Sequence, residues 1–138
     1  MENDRCVLVC VTSQKTCERL IKKGASLAEK ENCDLLVLSV FPTNCCFRPN
    51  LETIGVLDRC ARENSAEMIL FYNDFPFIVA ASIAKKYNAI NIITGFRENQ
   101  VSPFVTSLHT LLPEMPITMV DNEDKSFVIR PVASLKKQ

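Results

Sequence analysis

Apolar runs of strand length alternate along this chain with longer segments whose apolar residues recur at helical spacing, and that alternation leaves few folds open. The first run, Cys6 to Val11, is continuously apolar, as in a strand covered on both faces. Cys17, Leu20, Ile21, Gly24, Leu27 and Ala28 then fall on one face of a helix, with Glu18, Lys22 and Glu29 opposite. Asp34 to Val40 reads as a second strand, Leu51, Ile54, Leu57 and Ala61 as the stripe of a second helix, and Met68 to Tyr72 as a third strand. Phe75 to Tyr87 predicts a short Ala-rich helix with Pro76 in its first turn, where the missing N–H costs nothing. Ile90 to Thr94 is a fourth strand. Val101, Phe104, Val105, Leu108, Leu111 and Leu112 mark a fourth helix ended by Pro113, and Ile117 to Val120 is a fifth strand. This β-α-β-α-β-α-β-α-β order predicts right-handed crossovers and an open parallel five-stranded sheet with helices on both faces. Residues 1–120 are expected to form that α/β domain and 121–138 a C-terminal extension, with an edge strand over 126–130.

The chain has 138 residues, enough for one hydrophobic core, and 47% of them are apolar. Lys and Arg total 16 and so do Asp and Glu, a balance without the positive excess that phosphate neutralisation demands of a nucleic-acid binder. No apolar stretch reaches the roughly 18 residues of a membrane span, and Met1 to Arg5 is too polar to open a signal peptide. The seven cysteines are odd in number, contain no C-x-x-C, and fall largely within apolar-periodic segments. They read as buried thiols in a reducing cytosol rather than as a disulfide framework or a zinc site. A cytoplasmic protein without nucleic-acid or membrane partners is the expectation.

In a sheet of this kind, ligands bind beyond the carboxyl ends of the strands, where strand order reverses. The loops at that edge are Val11 to Thr16, Phe41 to Asn50, Asn73-Asp74 and Gly95 to Ser102. Thr12 to Thr16 holds no glycine, which excludes a dinucleotide fingerprint and a P-loop. Val11-Thr12 lacks the acidic residues with which a phosphoacceptor receiver holds magnesium. The sole histidine, His109, sits in the fourth helix away from the loops and reads as a partly exposed helix residue. No catalytic residue and no metal ligand are assigned.

Several strings in this order match a family. Val7 to Thr12 opens the chain, Leu20 to Ala28 forms the first helix, Ala84 to Gly95 leads into the fourth strand, and Pro116 to Val120 closes the fifth. Over Arg5 to Asp121 the chain resembles the universal stress proteins, and especially the universal-stress-like domains of potassium-sensing histidine kinases. The resemblance implies an adenine nucleotide alpha hydrolase-like sheet of order 3-2-1-4-5 and a homodimer formed through the fifth strand. It also implies, in one branch of the family, ATP held by the loop after strand one and by a glycine-rich loop after strand four. Here Gly95 matches the first glycine of that loop, Glu98 stands where the next is expected, and Ser102-Pro103 replaces the closing Gly-Ser/Thr step. Pro103 has no N–H to offer a phosphate.

The candidate nucleotide- or anion-binding residues are therefore Thr12, Ser13, Val40, Gly95, Arg97 and Ser102, with ATP or AMP as ligand. Thr12, Ser13 and Thr16 also suit capping of the following helix, and Asn73-Asp74 suits capping of the third. Lys15 and Arg97 read either as anion ligands or as solvated loop cations. Gly95 is also a strand terminator for which an unusual φ is expected. Three readings follow: a non-catalytic signalling or binding module with a degenerate nucleotide site; an ATP- or AMP-binding protein with at most slow hydrolysis; and a thiol-based redox or metal sensor at Cys45-Cys46.

Overall fold

A computed structural model of the chain describes residues 4–12, 15–43, 50–96 and 100–130. The elements follow in the order β1 (Cys6–Cys10), a 3-10 turn (Lys15–Cys17), α1 (Glu18–Glu31), β2 (Asp34–Phe41), α2 (Leu51–Glu63) and β3 (Glu67–Tyr72). Then come α3 (Pro76–Lys86), β4 (Ala89–Gly95), α4 (Pro103–Leu111), β5 (Ile117–Val120) and β6 (Ser126–Ile129). They build one sheet in the order β3-β2-β1-β4-β5-β6. β1 to β5 run parallel, and β6 returns antiparallel to β5, pairing Ile117 with Ile129 and Val120 with Ser126.

The sheet thus has six strands where five were expected, and the sixth sits on the outer edge of β5. The edge of β5 on which a second copy was to pair already carries β6, joined through a tight turn in which the Asp121 carboxylate accepts from the backbone N–H groups of Glu123 and Lys125.

Two hydrophobic layers flank the sheet, sorted by the alternation of side chains along each strand. Cys6, Leu8, Leu36 and Leu38 face α3 and α4, which contribute Val79, Ala80, Val105 and Leu108. Val7, Val9, Leu35 and Val37 face α1 and α2, which contribute Leu20, Ile21, Leu57 and Cys60. The central strand is sealed on both sides, which is why its sequence shows no polar alternation: Cys6 to Val9 are fully buried. α1 can lie this close only because of Gly24. A Cβ there would collide with Val9 Cγ2 and come within 2.9 Å of Leu35 Cδ1.

The helix ends follow local chemistry. Asn50 caps α2 by accepting from the Thr53 N–H at 3.1 Å, and Ser102 caps α4 by accepting from the Val105 N–H at 3.2 Å, with Pro103 in the first turn. α1 ends on Asn32 in the left-handed region at φ 54°. Two capping expectations are corrected. α1 is entered through the 3-10 turn, with Cys17 at its cap and no side-chain bond. Asp74 does not cap α3 either: its carboxylate accepts from the backbone N–H and hydroxyl of Thr43, while Asn73 accepts from the Phe75 N–H. No helix among the described residues is long and apolar enough to cross a membrane.

Candidate functional site

Where β1 parts from β4, and the chain goes to α1 on one side and α4 on the other, a cavity of about 710 Å³ opens at the carboxyl edge of the sheet. That volume lies within the usual range for small-molecule sites. Its floor is Cys10 and Val11 of the β1 end with Leu38 and Val40 of β2. One wall is the start of α1, with Thr16, Cys17, Arg19 and Leu20; the opposite wall is Gln100 to Phe104, leading into α4. Thr94 and Gly95 close the β4 side, Pro76 and Ala80 of α3 the far side, and Asn122 of the β5–β6 turn reaches in from above.

Four candidates chosen from the sequence meet in this cavity: Thr12, Val40, Gly95 and Ser102. They come from four separate segments, brought together by the reversal of strand order between β1 and β4. Ser13 and Arg97 lie outside the described residues, as do Glu98, Cys45 and Cys46, and the Lys15 side chain is not described. The Thr12 hydroxyl stands 3.6 Å from Cys17 Sγ. Ser102 uses its oxygen to accept from Val105, so its O–H can still donate toward the cavity. Gly95 departs from expectation, because no glycine here has positive φ. A Cβ at Gly95 would meet only Leu20 Cδ1 at 3.9 Å and Arg19 Nη2 at 4.0 Å. What the glycine provides is bare backbone beside a guanidinium.

Arg19 is the residue that the sequence reading missed. It is the only charged side chain among the described residues of the lining. Its Nε donates to the Asp121 carbonyl at 3.0 Å, its Nη2 to the Val120 carbonyl at 3.1 Å, and its Nη1 to the carbonyl of Thr16. One signal was legible: a cation in the first turn of a helix sits at the unfavourable end of the helix dipole and calls for some other reason to be there.

The Cys10 thiol is a poor nucleophile. Burial pushes Cys10 up to about 12, so it stays neutral at physiological pH. Cys6, Cys10, Cys17, Cys33 and Cys60 are unbridged, and among the described residues no group of three or more His, Cys, Asp or Glu side chains could hold a metal. His109 lies half-buried on α4, outside the cavity lining, with its Nδ1 buried and unpaired.

The fold and the site together define a doubly wound α/β protein with a small-molecule cavity at its topological switch point. No protein-family model matches the sequence, and no curated protein matches it. Solved structures do. A universal stress protein from Archaeoglobus fulgidus superposes with a TM-score of 0.65 at 17% identity, over 83% of this chain and 92% of its own. The universal stress protein from Archaeoglobus fulgidus in complex with dAMP gives 0.62 at 18% identity, over 83% and 96% of the two chains. A universal stress protein in complex with cAMP gives 0.62 at 11% identity, over 84% and 96%. At these identities the likeness is one of fold: the chain has the α/β fold of the universal stress proteins.

Proposed function

We propose that the protein is a non-catalytic binding module of universal-stress type, whose cavity takes an adenine nucleotide with a single phosphate. The observation that carries this reading is the convergence of Thr12, Gly95 and Ser102, with Arg19, on one cavity at the switch point. Hydroxyl donors, bare backbone and one guanidinium suit a nucleotide, and two proteins of the same fold are in complex with dAMP and cAMP. A triphosphate is disfavoured by the loop itself. After Gly95 it has no second glycine up to Pro103, and Pro103 withholds a backbone N–H at the start of α4. The described lining offers no carboxylate or imidazole as a general base, which supports binding rather than turnover.

Within the family, the strings around Leu20 to Ala28 and Ala84 to Gly95 favour the universal-stress-like domains of potassium-sensing histidine kinases, and so a sensing role in the cytoplasm. A second copy, if it pairs along this side of the sheet, meets β6 and not β5. Isothermal titration calorimetry with AMP, ADP and ATP, with and without magnesium, tests the reading. Saturable AMP binding with weaker ATP binding is expected. Tighter ATP binding, or multiple-turnover phosphate release, would overturn it in favour of a nucleotide-hydrolysing member.

A further inference from the structure

We infer that Arg19 reads the phosphate of the ligand and, through the same guanidinium, ties occupancy of the cavity to the β5–β6 hairpin; the inference rests on the nucleotide-binding reading above. A guanidinium carries five N–H groups in a rigid fork. Three of them hold the carbonyls of Thr16, Val120 and Asp121, which fixes the fork against the cavity wall and leaves one N–H on each Nη beyond those bonds. Neutral carbonyls position the charge without cancelling it. The Asp124 carboxylate stands 4.0 Å from Nε and is 68% exposed, so water screens most of its pull. A group resting where a Gly95 side chain would begin lies 4.0 Å from Nη2, so a phosphate oxygen against that bare backbone is within short reach of the fork. In a loop without further glycines, charge-assisted bonds from Arg19 replace the backbone cradle as the source of phosphate affinity.

The carbonyls that Arg19 holds belong to the hairpin. Val120 closes β5, and its carbonyl also accepts from the Phe96 N–H at 2.9 Å, one residue past Gly95. Asp121 opens the turn, Asn122 lines the cavity, and Phe127 of β6 packs its ring on Phe96 with centroids 5.0 Å apart. One guanidinium thus joins the start of α1, the site and the hairpin. A ligand that orders the fork also orders residues 120–122, and reciprocally a docked hairpin raises affinity for the ligand.

The test compares AMP with adenosine, which differ only in the phosphate, by calorimetry and by hydrogen exchange of the amides in residues 117–129. On the unaltered chain, AMP is expected to bind at least tenfold tighter than adenosine and to slow exchange in the hairpin, whereas adenosine leaves it unchanged. In Arg19→Gln the preference should fall to about threefold or less, and the AMP-dependent protection should disappear. Arg19→Lys, which keeps the charge without the fork, should retain part of the preference and lose the hairpin response. If neither ligand binds the unaltered chain, the nucleotide reading falls and this inference with it. If both bind equally, or both protect the hairpin alike, the nucleotide reading stands and the role of Arg19 is overturned. The two-ligand comparison needs no variant, so it can overturn the role of Arg19 even if Arg19→Gln fails to fold, and Arg19→Lys then carries the positive assignment.

Discussion

Gly24 and Gly95 are both glycines on elements that border the central strand, yet they are glycine for different reasons. At Gly24 the helix presses on Val9 and Leu35, and a methyl group has nowhere to go. In an exposed helix Gly→Ala would gain roughly 1 kcal/mol of propensity. Here overpacking against a stiff β-branched side chain outweighs that gain, and Gly24→Ala should destabilise the protein by about 1–3 kcal/mol, read as a lower denaturant midpoint. Cys6, fully buried, and Cys10, partly buried at the cavity floor, make a second residue-scale prediction. Burial raises Cys6 to about 11 and Cys10 to about 12, against 9.0 for an ordinary thiol. Above pH 9 the unfolded chain sheds these protons while the folded chain keeps them. The stabilisation they give is therefore complete below pH 9 and is lost as pH rises toward 11 to 12. Unfolding midpoints measured from pH 8 to 10.5 should fall more steeply for the native chain than for Cys10→Ala.

At the scale of elements, the β5–β6 hairpin decides how this sheet ends. All four residues of β5 are buried, and β6 supplies the pairing that an exposed edge of that composition would otherwise seek from another chain. A chain ending after Asp121 should therefore associate with itself, and light scattering should report species larger than those of the full chain at equal concentration. Strand and helix positions were legible because apolar runs and helical stripes arise from burial on two faces or one, and the structure moves most ends by only one to three residues. Capping was less legible. Asp74 looks like a helix cap in sequence, but its partner is Thr43, 31 residues earlier, and no local spacing encodes that meeting. Arg19 was hidden for the same reason: two of the carbonyls it holds are 101 and 102 residues away. Thr12, Val40, Gly95 and Ser102 were within reach of sequence reasoning because a single topological rule sends all four loops to one end of the sheet.

For the whole molecule, the two outer edges of the sheet are unlike. β6 is four residues long and follows a polar turn, whereas β3 presents Leu70, Phe71 and Tyr72 at 38–60% exposure. A lysine at such an edge discourages strand addition. Leu70→Lys should lower concentration-dependent association in light scattering while leaving AMP affinity unchanged, since Leu70 is not among the residues that line the cavity.

The return of β6 has a practical consequence. Because it runs against the other five strands, it brings residue 129 back beside Ile117, at the same end of the sheet where β1 begins with Cys6. The described chain therefore enters and leaves at the pole opposite the cavity mouth. A label on an exposed residue at that pole, such as Arg130, would stand away from the entrance and leave it unobstructed.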